Sequence, residues 1–183
     1  MSLIPPFTRT GVLPPGDYAV TFTELRASIL VRGPQNRRGA WDEDWRRHLV
    51  DQAERLVRQL WAVGITEVFL DGSFAEDKAH PNDIDGYFNV DVHRMASGEL
   101  ERSLNALDRF GIWTWDPAAR RPYRGYTKRE LPMWHAYRVE LYPHYNQWTG
   151  ITDIRGFPLT FPSAFRTSRL SDQEKGIVYV LPD

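Results

Sequence analysis

The residue types with chemical potential in this 183-residue chain are concentrated in one run, VFLDGSFAEDKAHPNDIDGYFNV, residues 68–90. An apolar segment delivers Gly72 and Ser73 into a turn, and after the nine residues Phe74 to Asn82 the pair Asp83 and Asp85 opens a second apolar segment. Glycine lets backbone amides approach a phosphate closely, and a serine hydroxyl adds a donor. Two aspartates at i and i+2 of a strand face the same way and offer hard oxygens to Mg²⁺ or Mn²⁺ at about 2.0 to 2.1 Å. Without a cation they repel each other. A third carboxylate, Glu140, sits among the alternating polar and apolar residues Tyr137 to Leu141. Three convergent carboxylates can hold two cations for phosphoryl or nucleotidyl transfer.

Lys78, in the loop over this motif, and Arg138, on the Glu140 face, are candidate phosphate contacts. The plainer readings are a solvated loop lysine and an ion-pair partner for Asp83 or Asp85. Arg120, Arg121, Arg124, Lys128 and Arg129, interleaved with Tyr123 and Tyr126, have the composition of a single-stranded nucleic acid or transfer RNA contact, and equally that of a solvated loop. Ser73 lacks a Gly-x-Ser-x-Gly setting, so no hydrolase nucleophile is expected. His80 and His144 lie near the motifs, while His48, His93 and His135 have no partner at i, i+4, so no zinc site is expected either. A Gly-Ser turn alone, or Asn-Asp after proline alone, is ordinary turn chemistry. Their succession, with a later Glu-bearing strand, is what points to a site.

The elements that must position these residues follow from periodicity. Leu49, Ala53, Leu56 and Leu60 recur at helical offsets from Asp42 to Ala62, with Arg46, Arg47, Asp51, Glu54 and Arg58 on other faces, and Gly64 ends the helix. Ile65 to Leu70 reads as a buried strand and Asp83 to Val92 as an alternating one, with Ile84, Gly86, Phe88 and Val90 opposite Asp83, Asp85, Tyr87 and Asn89. Leu100, Leu104 and Leu107 mark a helix from Ser97 to Arg109. Asp116 to Pro132 reads as a basic loop, Ala136 to Tyr142 as a strand, Ser163 to Arg166 as a short helix within Gly156 to Ser171, and Ile177 to Leu181 as a strand after a turn at Lys175 and Gly176. The first 20 residues, with Pro5, Pro6, Pro14 and Pro15, read as an extended arm, and a short helix capped by Thr21 or Thr23 runs through Glu24 to Val31. Strands interleaved with few helices predict an α/β (α+β) fold, a small mixed sheet flanked by helices, in one domain over residues 1–183.

Composition sets outer limits. Hydrophobic residues make up 42% and charged residues 26%, enough for one core. The formal net charge is -1, so any anion binding must be local. The absence of cysteine excludes disulfides, thiolate metal sites and cysteine nucleophiles. With no membrane-length apolar run and no basic, apolar leader in MSLIPPFTRTG, the chain is expected to be soluble and cytoplasmic, with no membrane partner.

The Gly72-Ser73 and Asp83-Ile84-Asp85 spacing resembles the signature of the DNA polymerase beta type nucleotidyltransferase superfamily, and Glu140 in Val-Glu-Leu is similar to its third carboxylate. Over most of its length the chain resembles a family of small uncharacterised bacterial proteins with such a domain, through Leu13-Pro14-Pro15-Gly16, DGSFAEDKAHPNDIDGYF, VELYPHYN and KGIVYVL. This resemblance implies a nucleotidyltransferase fold and a triphosphate site at Gly72 and Ser73. It also implies Mg²⁺ or Mn²⁺ ligands at Asp83, Asp85 and Glu140, and transfer of NMP from an NTP such as ATP to a hydroxyl of a protein or RNA acceptor. Small members act in toxin-antitoxin or phage-defence pairs, which makes a toxin or antitoxin an expected partner. An inactive nucleotide-binding or antitoxin protein is the alternative. A metal-dependent nuclease is a weaker one, because Tyr142 stands where a lysine would follow Glu140. Two residues depart from the signature: acidic Asp71 before Gly72, expected to weaken phosphate binding, and Gly86 after Asp85, expected to reflect close packing.

Overall fold

The computed structural model describes residues 4–35, 39–125, 127–168 and 173–182. Tyr126, the first three residues of the expected arm and the end of the Gly156 to Ser171 stretch lie outside them. In chain order the elements are β1 (Asp17–Val20), α1 (Phe22–Ala27), α2 (Ile29–Arg32), α3 (Glu43–Ala62), β2 (Val68–Asp71), β3 (Ile84–Asn89), α4 (Val92–Ala96), α5 (Glu99–Leu107), α6 (Pro132–Tyr137), β4 (Val139–His144), α7 (Phe161–Phe165) and β5 (Ile177–Val180). The five strands form one mixed sheet in the order β1-β5-β2-β3-β4. Strand β1 is parallel to β5 and β3 is parallel to β4, while β2 is antiparallel to both of its neighbours. The protein is a mixed α/β fold, and no helix among the described residues is long and apolar enough to cross a membrane.

The alternation expected for the second strand separates two faces of this sheet. Val68, Leu70, Ile84, Phe88, Val139, Leu141, Val178 and Val180 are buried against Leu49, Ala53, Leu56 and Leu60 of α3. That apolar burial holds the two layers together. Gly86 belongs to this face, opposite Leu70 and Leu141. A Cβ there would lie 2.2 Å from the Phe69 carbonyl oxygen, so the strands approach each other only because the side chain is missing.

Several boundaries differ from the periodicity reading, each for a local reason. The proline-rich arm ends in β1, a sheet strand, and Val12 and Leu13 before it are buried. Thr21 and Glu24 form a reciprocal capping box, but the helix breaks at Ser28, which takes extended dihedrals and caps Leu30 through its hydroxyl. Gly98, at φ 68, splits the expected Ser97 to Arg109 helix from α4. The strands expected at Ile65 to Leu70 and Asp83 to Val92 run over Val68–Asp71 and Ile84–Asn89, the short helix runs over Phe161–Phe165, starting two residues early, and the last strand ends at Val180.

The largest correction is at Ala136 to Tyr142. Pro132 opens the one-and-a-half-turn helix α6, Arg138 ends it in a left-handed conformation at φ 57, and only then does β4 begin. Tyr137, Val139 and Leu141 mimic strand alternation because a helix end and a strand start happen to share the parity.

Arg46, expected on a polar face of α3, is fully buried. Its guanidinium donates to the carbonyls of Leu30 (2.5 Å), Phe74 (2.8 Å), Glu76 (3.0 Å) and Lys78 (2.5 Å), and it lies 3.9 Å over the Trp41 ring. One side chain thereby fastens the end of α2 and the loop after Gly72 to α3. Arg46→Met is expected to leave these carbonyls without donors and to cost roughly 3 kcal/mol or more. Thermal denaturation should then show a fall of about 6 to 12 °C. Arg46→Lys should not restore it, because an ammonium cannot span the carbonyls that a planar fork reaches.

Candidate functional site

The second face of the sheet carries the chemistry. Asp71 of β2 pairs in register with Asp85 of β3, and Asp85 pairs with Glu140 of β4, so three carboxylates stand in one row across three adjacent strands. The next row on the same face is aromatic. Phe69 stacks on Tyr87 at 4.7 Å and on Tyr179 at 5.0 Å, and helix α7 covers part of this row, Phe165 over Tyr87 and Phe161 over Tyr142. The Asp71 departure is thus a member of the row rather than an isolated charge.

Adjacent carboxylates at strand spacing repel, and each end of the row has its own cation. At the β2 end, Lys175 places Nζ 2.9 Å from Asp71 and 3.0 Å from Glu76. Burial pushes the Asp71 carboxyl up to about 7, with Lys175 acting against it, while the two carboxylates raise the lysine in spite of its own burial. At the β4 end, Glu140 is fully buried and both of its oxygens are engaged. Oε1 accepts from the Leu131 amide (2.9 Å) and Arg120 (3.3 Å), and Oε2 accepts from Lys128 (3.0 Å) and the Tyr142 hydroxyl. Burial alone would raise this carboxyl, but Lys128, Tyr142, Leu131 and Arg120 together hold it below the ordinary glutamate range. Glu140 therefore shares the aspartates' face, as its parity predicts, while its lone pairs are committed elsewhere. Among the described residues no three His, Asp or Glu side chains stand together in a group able to hold a metal ion.

Asp83 and Asp85 lie between these clusters. Asp83 Oδ2 accepts from the Trp134 indole at 2.7 Å. Its carboxyl is raised chiefly by burial, against the pull of Trp134 and Lys128 and with a push from Glu140. Asp85 abuts the turn: Gly72 has φ +73, and a Cβ there would come within 2.5 Å of Asp85 Oδ2. The short 3-10 turn Gly72–Ala75 follows β2 directly, so Ser73 and Asp85 line one cavity of about 300 Å³ with Asp71, Gly72, Ser168 and Lys175. An adjoining groove of about 670 Å³ shares Thr167 and Lys175 and runs over Phe69 and Tyr87 toward Arg166.

The other expected contacts divide. Lys78 is exposed, with Nζ 3.5 Å from Ser73 Oγ, at the mouth of the turn. Arg138 leaves the Glu140 face, since it caps α6, and its guanidinium lies 3.9 Å over Trp134 and 4.3 Å over Tyr123. Within the basic cluster, Arg120 and Lys128 turn inward to Glu140, whereas Arg121, Arg124 and Arg129 are exposed. Residues 121 and 130 close this segment through a single two-bond bridge. Lys175 and Trp134 were not singled out by sequence reasoning. Lys175 lies about a hundred residues from the motif and carries no local spacing signal; Trp134 reads as ordinary core.

Residues 5–181 match the family of unknown function (DUF6932), and the chain belongs to that family. No curated protein and no solved structure matches it.

The contact between Gly72 and Asp85 makes a double-mutant test possible. Gly72→Ala should cost about 1 to 2 kcal/mol for the left-handed backbone and more for the clash with the carboxylate. In an Asp85→Ala background the 2.5 Å clash with the carboxylate oxygen disappears, and only the 3.1 Å approach to the Asp85 Cβ remains. Urea denaturation of the four proteins should therefore give a coupling of about 1 kcal/mol or more.

Proposed function

We propose that the protein is a metal-dependent nucleotidyltransferase of the DNA polymerase beta type, moving NMP from an NTP to a hydroxyl of a protein or RNA acceptor. The observation that carries this reading is the seating of the Gly72-Ser73 turn against Asp85. Backbone donors suited to a phosphate and a carboxylate suited to a hard cation line one cavity, and Gly72 is the only residue type that permits so close an approach.

The donor set fits a cation in part. Asp85 on β3 and Asp83, the residue before that strand begins, are the residues that would hold Mg²⁺ or Mn²⁺. Glu140 does not fit as a third ligand in this arrangement, because four donors occupy its oxygens. When bound, such a cation neutralises phosphate charge and acidifies the acceptor hydroxyl. The chain's own groups orient the phosphates: the Ser73 hydroxyl and the amides of its turn from one side, Lys78 from the mouth. The acceptor hydroxyl gives up its proton to solvent as its oxygen bonds to the α-phosphorus, the bond from that phosphorus to the bridging oxygen breaks, and pyrophosphate leaves. Exposed Arg121, Arg124 and Arg129 are placed to meet an anionic acceptor such as RNA.

The engagement of Glu140 by Lys128 and Arg120 favours a second reading, a nucleotide-binding protein without turnover. Incubation with labelled NTPs, Mg²⁺ and cell extract separates the two. Label transferred to a macromolecule, and lost in Asp85→Asn, supports the transferase; retained nucleotide without transfer supports the binder.

Binding itself has a stability signature. Mg²⁺ with the right NTP at about 100 times Kd should stabilise the native state by roughly 2.7 kcal/mol. That raises Tm by several degrees in the wild type and not in Asp85→Asn. A wild type unmoved by every NTP with either cation would exclude both readings.

A further inference from the structure

Lys175 is only 5% exposed, yet its ammonium stands at the wall of the cavity that holds Gly72, Ser73 and Asp85. Its backbone is pinned. The Lys175 amide donates to Arg166, the Gly176 amide donates to Leu13, and a Cβ on Gly176 would lie 2.3 Å from the Pro14 carbonyl oxygen. The ammonium is thus delivered from a fixed point beside β1 and β5, not from a mobile loop tip.

Its bonding is incomplete in a particular way. An ammonium has three donors. One makes an aligned hydrogen bond to Glu76 at 3.0 Å. A second faces Asp71 at 2.9 Å in poor alignment, and the Gly72 amide also faces that carboxylate. A pair built only to hold the fold would gain most from satisfying that carboxylate. Here the lysine stays at the wall of the cavity that Gly72 and Ser73 also line.

We propose that Lys175 is a polyphosphate ligand of this site and that Asp71 is its positioning residue, holding the ammonium at the wall until the anion takes over the unsatisfied donor. The inference rests on the reading that the cavity receives the phosphates of an NTP, and it adds the cation that answers their charge. It also reverses the sense of the Asp71 departure. The aspartate beside the glycine turn stations a lysine where phosphate arrives.

The test is a charge-conserving pair. Asp71→Asn with Lys175→Met removes both members of the pair, so at a pH above the Asp71 titration the formal net charge is unchanged while the ammonium is lost. Replacing a buried ion pair by neutral groups is commonly tolerated, and an unliganded Tm close to that of the wild type will show that the double variant folds. Isothermal titration with inorganic tripolyphosphate and with ATP, each with Mg²⁺, is then compared between the two proteins. If Lys175 binds phosphate, the double variant loses tenfold or more in affinity for both, and Asp71→Asn alone binds more tightly than wild type. A folded double variant that binds both ligands as the wild type does overturns the role of Lys175 and leaves the nucleotide reading intact. A wild type that binds neither ligand overturns both.

Discussion

A single buried guanidinium sets the geometry on which the site depends. Arg46 rises from the first turns of α3 into the layer between helices and sheet, where water cannot solvate it. Four backbone carbonyls take the place of water, three of them in the segment Phe74 to Lys78 that follows the glycine turn. A loop that leaves a strand end normally has many conformations open to it, and closing it costs entropy. Here the carbonyls have a large electrostatic reason to converge on one point, because the alternative is a charge buried without donors or acceptors opposite it. The amides of residues 72–75 are thereby held against β3 before any ligand arrives, which is the preorganisation an anion site requires.

Strand pairing then imposes its own constraint. Register brings Asp71, Asp85 and Glu140 side by side, an arrangement that a sheet tolerates only with compensating positive charge. Both compensating lysines come from outside the sheet's central strands, Lys128 from the segment before α6 and Lys175 from the residue before Gly176 and β5. The carboxylate row is therefore also what docks these two distant segments onto one face. Fold and site share the same electrostatics, and a change of charge in the row alters the packing of chain that is remote in sequence.

This division explains what was legible in the sequence. The Gly72-Ser73 turn, the i, i+2 spacing of Asp83 and Asp85, and the alternation around Gly86 and around Glu140 are local properties, fixed by spacing within a few residues. Arg46 was not legible, because an arginine on an amphipathic helix reads as solvated, and nothing nearby signals that four carbonyls from elsewhere will surround it. Lys175 was hidden for the same reason: its partners Asp71 and Glu76 are about a hundred residues away. At Ala136 the difficulty was different. The apolar pattern fits strand and helix alike, and the deciding signals were Pro132 at a helix start and Arg138 in a left-handed conformation, the latter invisible to periodicity.

The two lysines also differ in what it would take to move them. The Lys128 side chain is 53% exposed, and the ladder beneath it is one bridge between Arg121 and Glu130. Lys175 is 5% exposed, on backbone anchored to Arg166 and Leu13. Segments with few buried contacts and short ladders open at low free energy, whereas pinned backbone opens only with the core around it. Withdrawal of Lys128 would remove one of the two donors on Glu140 Oε2, leaving the Tyr142 hydroxyl there and Arg120 and the Leu131 amide on Oε1. It would also strip the aspartates of the positive charge that now competes with any metal ion. On the proposed reading, divalent cation affinity at Asp83 and Asp85 would depend on the position of Lys128, whose neighbours Arg121, Arg124 and Arg129 in the 120–131 segment are exposed. An anionic acceptor that draws this segment outward would open the carboxylates as it binds, so acceptor and cation would favour each other by linkage. The Gly72–Ala75 turn and its neighbours, held by Arg46 and Lys175, would stay in place throughout.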